Sequence, residues 1–319
     1  VDICIVKKDV LELLIKKEGW SYTNIMPNGR RGRFKVLNSV FFGLKTIFNL
    51  SMYLNNKNYD LFLTDDLLVV NGFMKNTPTL FFQDDDIAAV PESKFWLPFT
   101  KHIVSPKCCN LGKFNKYKIG YNGNHEWAYL SPKVFKPNFL LINHLVNKNE
   151  KYFIIRLVSL TASHDLNKKG ISDKDAGQII SLLRPYGKVF INSERKLKKE
   201  FKKYRINISP ELIHHFLFFS EILISDSQTM TSEAAMMGVP SLRFNDFVGK
   251  ISYIERSEKE FDLTYGFETE NLEGLFKKLK ELLETKNLKE IWRKKRQKVE
   301  KEFIDVNEFF LDEIKKKQV

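Results

Sequence analysis

At 319 residues the chain is about twice the usual single-domain length, so two domains, each burying its own core, are expected. A hydrophobic fraction of 43% with 13% aromatic residues excludes a largely disordered chain, and the three cysteines, Cys4, Cys108 and Cys109, suit neither a disulfide framework nor a four-ligand zinc site; a reducing cytoplasm is the natural location. The net charge of +13 favours polyanionic partners, but much of the excess lies in two lysine-rich stretches, 195–205 and 286–301, that read as helices with solvated faces; an anionic membrane surface fits this pattern better than nucleic acid does.

The chain opens on VDICIV, a buried-strand pattern over 2–6 with no signal or transit segment ahead of it, and its natural N-terminus is expected further upstream. Residues 34–55 place Val36, Val40, Phe41, Leu44, Ile47, Phe48, Leu50 and Met52 at helical spacing, which predicts one long helix. Lys45 and several polar residues interrupt its apolar run, which argues against a membrane-spanning segment. Strands are predicted at 61–64, 79–83 and 102–105, and the pattern loosens around Pro132 and Pro137. A second series begins at Tyr152 with the strand FIIRLVSL and a helix capped by Ser172, with Asp173 and Asp175 in its first turn. A strand at 188–192, a helix near 211–220, the strand EILIS, a helix from about Thr229, a strand at 241–244 and the amphipathic helix LEGLFKKLKELLE complete it. This alternation predicts an α/β protein with parallel sheets, divided into domains over 1–145 and 146–319.

The most informative stretch is SDSQTMTSEAAMMGVP, 225–240, after the strand EILI. A strand that turns directly into a helix aims unpaired N–H groups at a phosphate, and in open parallel sheets ligands bind beyond the C-terminal strand ends. Ser225, Ser227 and Thr229 add hydroxyls there, and Glu233, about one turn further in, is placed to accept the hydroxyls of a ribose. Helix capping explains the same serines without a ligand.

Strand plus SDSQTMTSEAAMMGVPSLR resembles the donor-binding segment of GT-B nucleotide-sugar proteins, including the UDP-N-acetylglucosamine 2-epimerases. A closer resemblance, carried by YNGNHEWAYLSP, RLVSLTASHDLNKKGIS, VFINSE and GKISYIE in that order, is to the bacterial and archaeal family called domain of unknown function 354. The resemblance implies two Rossmann-like domains facing each other across a cleft, the first lacking its N-terminal β-α unit. It also implies that Ser227, Thr229 and Glu233 contact the nucleotide. Gln228 and Met230 stand where the epimerases have glycines, which limits how closely backbone can approach a pyrophosphate.

In RLVSLTASHDLNKKG, Arg156, Lys168 and Lys169 can hold a pyrophosphate while His164 and Asp165 move a proton, or the segment is a solvated loop; the resemblance favours the former. In FFQDDDIA the run Asp84 to Asp86 can raise one pKa to give a base, taken as Asp85, can hold a divalent cation, or can cap a helix. His125 and Glu126 are further base candidates, with Trp127 and Tyr129 to stack on a sugar or pack, whereas His214 and His215 read as helix surface or domain packing. The leading expectation is a glycosyltransferase moving a sugar from a nucleotide donor, UDP-linked, to a polysaccharide or lipid-linked acceptor, with no metal and no cofactor. The alternatives are a UDP-sugar 2-epimerase and a non-enzymatic basic protein that binds RNA or a membrane surface.

Overall fold

The computed structural model describes residues 1–7, 10–27, 35–159 and 169–317, apart from the side chains of 35–39. Every strand pairing is parallel. In the first half, β1 (Cys4–Val6) pairs with β2 (Thr23–Met26), and a separate four-stranded sheet runs β3 (Phe62–Thr64), β4 (Thr79–Phe82), β5 (Ile103–Pro106), β6 (Lys118–Tyr121). Helices α1 (Leu11–Lys17), α2 (Lys35–Tyr53) and α3 (Leu68–Lys75) connect these strands, and a single turn, α4 (Trp127–Leu130), follows β6.

In the second half β7 (Tyr152–Leu157) lies between β8 (Lys188–Ser193) and β9 (Leu223–Ser225), and beyond β9 come β10 (Ser241–Phe244) and β11 (Thr264–Phe267). The crossovers are α5 (Asp173–Leu183), α6 (Ile213–Phe219), α7 (Gln228–Met237) and α8 (Ser252–Lys259), and the chain ends in α9 (Leu272–Glu284), α10 (Leu288–Glu302) and α11 (Val306–Lys315). Helices on both faces explain why β7 is apolar throughout except at Arg156: Phe153, Ile154, Ile155 and Leu157 are all buried in one core.

Local chemistry sets the element ends. Ser172 caps α5 in a reciprocal box, its hydroxyl accepting from the Asp175 N–H while the Asp175 carboxylate accepts from the Ser172 N–H. Helix α7 stops at Gly238, φ +70°, where the N–H groups of Gly238 and Val239 close back on Ala235 and Ala234. A Cβ at Gly238 would lie 3.2 Å from Arg296, so the glycine also lets α10 cross there. Arg296 then donates to the Met236 carbonyl at the end of α7 and to the Leu130 carbonyl at the end of α4. Helix α11 crosses back to the first half, with Phe310 against Phe82 and Tyr121.

The structure corrects one predicted helix. Residues 195–205 form only a tight six-residue helix, Lys199–Tyr204, because the chain returns to the sheet at once, with Arg205 bridging Ile191 and Phe201 buried. It also adds the α1–β2 unit and α8 with β11.

The halves are joined by Asp86. Its carboxylate accepts from the backbone N–H of Asn110 in the first half and from the N–H and hydroxyl of Ser252, the first residue of α8, in the second, at 2.7–2.8 Å. Helix α8 has no side-chain cap of its own, so Asp86 supplies one from 166 residues away. Asp86→Ala leaves these donors without their carboxylate, and a loss of about 2–4 kcal/mol in unfolding free energy is expected by urea denaturation. Asp65→Ala, at an exposed carboxylate, is expected to change it by less than about 0.5 kcal/mol.

Candidate functional site

Because the strands are parallel, the segments after β4, β6 and β9 all emerge at C-terminal strand ends, and these segments carry ionisable groups, most of them singled out from the sequence. After β4 come Asp84, Asp85 and Asp86; after β6 come His125 and Glu126, leading into α4; after β9 come Asp226 and Ser227, leading into α7.

Glu233, on the second turn of α7, is the meeting point. Its Oε1 accepts from the Tyr129 hydroxyl at 3.1 Å and lies 2.9 Å from His214 Nε2. Tyr129 comes from α4 and His214 from α6, so three elements converge on one carboxylate oxygen, and the Tyr129 and His214 rings also face each other at 5.7 Å. His214, expected to be surface or packing, therefore belongs to the site. Only proximity in the fold reveals this, since 19 residues separate it from Glu233. His125 packs edge-on to Tyr129 and beside Phe310.

Glu126 is 3% exposed, beside Ser232 of α7, and its Oε2 has no hydrogen-bond partner among the described residues. Burial, with Asp84 and Glu233 nearby, pushes its carboxyl up to about 8, so at neutral pH it is a carboxylic acid able to donate a proton. Asp85 is pushed up to about 7 by burial and by Asp84 and Asp86 on either side. Tyr253 of α8 is buried against the same carboxylates, which together with its burial raise its phenol well above the usual range. Among the described residues no three His, Cys, Asp or Glu side chains converge closely enough to hold a metal ion.

The start of α7 differs from the expectation of free hydroxyls. Ser225 is fully buried, its hydroxyl accepting from the Ser227 N–H and donating to the Ser227 carbonyl, and the Ser227 hydroxyl accepts from the Met230 N–H as the N-cap. Both are spent inside the protein because the helix end is buried and its donors must be satisfied. Thr229 is exposed on the first turn and remains available. Asp226, not singled out in the sequence, accepts from the Val158 N–H at 2.7 Å while its carbonyl accepts from Asn245, tying β7, β9 and β10 at their ends; burial raises its carboxyl to about 7. Gly170 passes so close that a Cβ would lie 2.7 Å from Asp226.

Arg156 does not point free into the cleft. Its guanidinium donates to Asn192 and Glu194 of the β8 side, across the Arg156–Asn192 register pair, so its charge is already partnered. Lys169 has an exposed side chain and a backbone N–H held by Asp246. His164, Asp165 and Lys168 lie outside the described residues. Beside the Asp86 clasp a cavity of about 630 Å³ is lined by Asp86, Cys108, Asn110, Lys250, Ser252 and Arg256 among others, with contributions from both halves.

No protein-family model matches the chain, and no curated protein matches its sequence. Solved structures do match its fold. The glycotransferase of kitacinnamycin superposes with a TM-score of 0.60 at 12% identity, over 100% of this chain and 92% of that one. CalG4, the calicheamicin glycosyltransferase, gives 0.59 at 9% identity, over 99% and 90%. The UDP-GlcNAc 2-epimerase from Neisseria meningitidis bound to UDP-GlcNAc gives 0.57 at 15% identity, over 94% and 90%. The chain thus has the α/β fold with parallel sheets shared by GT-B glycosyltransferases and these epimerases.

A carboxyl raised from 4.5 to about 8 stabilises the fold fully below its unfolded value and loses that contribution as pH rises through 8. The melting temperature is therefore expected to fall from about pH 4.5 to about pH 8 and to level off above it. Glu126→Gln, which keeps the shape without the charge, should remove on the order of 5 °C of that fall in a pH series of thermal melts.

Proposed function

We propose that this protein is a glycosyltransferase that takes a sugar from a nucleotide donor, UDP-linked, and passes it to a glycan or lipid-linked acceptor without a metal. The observation that carries this reading is the position of Glu233: one helical turn inside α7, beyond the end of β9, with Tyr129 and His214 fixing its orientation. The exposed Thr229, in the first turn of α7, receives the diphosphate, where the helix dipole offsets the charge that grows on the departing nucleotide. Glu233 accepts a ribose hydroxyl. Asp85, titrating near neutrality and belonging to the first half, is the base that takes the acceptor hydroxyl proton.

A second reading is a UDP-sugar 2-epimerase. Glu126 favours it, because a buried carboxylic acid next to Asp84 and Glu233 supplies both a proton donor and bases around one sugar, as removal and return of a proton require. The two readings part on acceptor dependence. Incubated in D2O with a UDP-sugar and no acceptor, an epimerase places deuterium on the sugar carbon, whereas a transferase leaves it unlabelled and releases UDP only slowly.

UDP is expected to raise the melting temperature, and Glu233→Ala to weaken UDP binding at least about tenfold by calorimetry, equivalent to about 1.4 kcal/mol. Asp85→Asn should lower kcat by about 100-fold or more with the donor KM little changed. Equal UDP affinity in wild type and Glu233→Ala removes Glu233 from the nucleotide site.

A further inference from the structure

We propose that the outer face of α2 docks this protein onto an anionic lipid bilayer. At 100° per residue, Val40, Leu44, Phe48, Phe41 and Met52 fall within an arc of about 120°. All five are 59–69% exposed, whereas Thr46, Leu50 and Leu54 on the opposite side are buried. Asn49 on the inner side donates to the Ile25 carbonyl of β2, and Leu50 packs with Ile25 and Met26, so the helix is pinned flat along the first half with its apolar stripe turned outward. From Val40 to Met52 that stripe is about 18 Å long.

Helix α3 lies beside α2. Asn71 donates to the Ile47 carbonyl and to the Ser51 hydroxyl, which fixes α3 beside α2, and Phe73 and Met74 of α3 are 64% and 67% exposed. A row of large apolar side chains on one face is more than scattered surface hydrophobicity and marks an interaction surface.

Charge selects the occupant. Among the described side chains of α2 and α3 the charged ones are Lys45 and Lys75, with no carboxylate, in a chain of net charge +13. Lys45 is exposed on the rim of the stripe, next to Phe41 and Phe48 on the helix surface, and Lys75 is exposed at the end of α3. An apolar face with a cationic border is the pattern of a helix lying in the headgroup region of an anionic membrane. A second copy of the chain would instead set like charges against each other. Among the described residues no helix is long and apolar enough to cross a membrane, so the contact is interfacial. The argument uses α2 and α3 alone and holds whichever reaction the cleft performs.

The test is flotation of the full chain with vesicles of phosphatidylcholine, with and without 30 mol% phosphatidylglycerol (an order-of-magnitude choice for an anionic bilayer). Binding to the anionic vesicles is expected, weaker on the neutral ones and weaker in high salt. The triple variant Phe41→Ser, Leu44→Ser, Phe48→Ser should lose at least about tenfold in partition coefficient with its melting temperature unchanged, since these side chains leave no cavity when shortened. Lys45→Glu should lose about two- to fivefold, on anionic vesicles only. As an independent readout, Phe48→Trp should show a blue-shifted emission on anionic vesicles. Failure of the wild type to float with them overturns the proposal. So does equal binding by the triple variant, or a wild-type dimer in light scattering that the triple variant converts to monomer, which assigns the face to a second copy.

Discussion

Parallel pairing of every strand is the constraint from which the polar architecture follows. Parallel strands need a crossover on a face of the sheet, so both faces are covered and the strand interiors are mainly apolar; apart from Arg156 and Arg243, each paired with a glutamate, charge sits where the chain leaves the sheet. At the C-terminal ends those exits bring Asp85, Glu126 and Asp226 into poorly solvated surroundings, and burial raises these carboxyls toward or past neutrality. The acidic groups are thus tuned by where the topology puts them, without a dedicated cation beside each.

Helix α8 is what turns two sheets into one site. Its start is capped by Asp86 of the first half, and its middle is held by Arg243, a fully buried arginine on β10 that donates to Glu255 at 2.8 Å with Glu258 close by. A buried ion pair of this kind contributes little net stability, because desolvation offsets most of the attraction, yet breaking it is costly; its effect is to fix position. The position fixed is that of Tyr253, buried within electrostatic reach of Asp84, Asp85 and Glu126.

Much of the fold could be read from the sequence where burial imposes a period. The strands at 79–83, 188–192 and 241–244 and the long helix at 34–55 match β4, β8, β10 and α2 within a few residues, and Ser172 caps α5 as its position suggests. Helix α8, SYIERSEK, was not legible, because only Tyr253, Ile254 and Ser257 of it are buried and what holds it is Asp86 and Arg243 from elsewhere. Strand β11, TYGF, contains a glycine that exists to make room for Val248 and Arg243, which reads locally as a turn. The converse failure is 195–205, where a lysine-rich pattern looked helical but the short return to the sheet edge allowed only the tight six-residue helix Lys199–Tyr204. In the site, Glu126 and Glu233 stand out by residue type and place. Tyr129 and His214 acquire meaning only from contacts across 104 and 19 residues.

These contacts bear on how the proposed donor is held. In the free protein Tyr129 and His214 already occupy Oε1 of Glu233, so a ribose hydroxyl that binds there exchanges one hydrogen bond for another and gains only about 1–2 kcal/mol net. The same exchange releases the Tyr129 hydroxyl toward the sugar, on the side where Glu126 lies three residues earlier on the chain. Affinity must then come mainly from the diphosphate at the start of α7, where Thr229 is exposed, while the Glu233 group contributes selectivity for a ribose over a partner that cannot satisfy a buried carboxylate. Binding strength and recognition are in this way assigned to opposite ends of two turns of one helix.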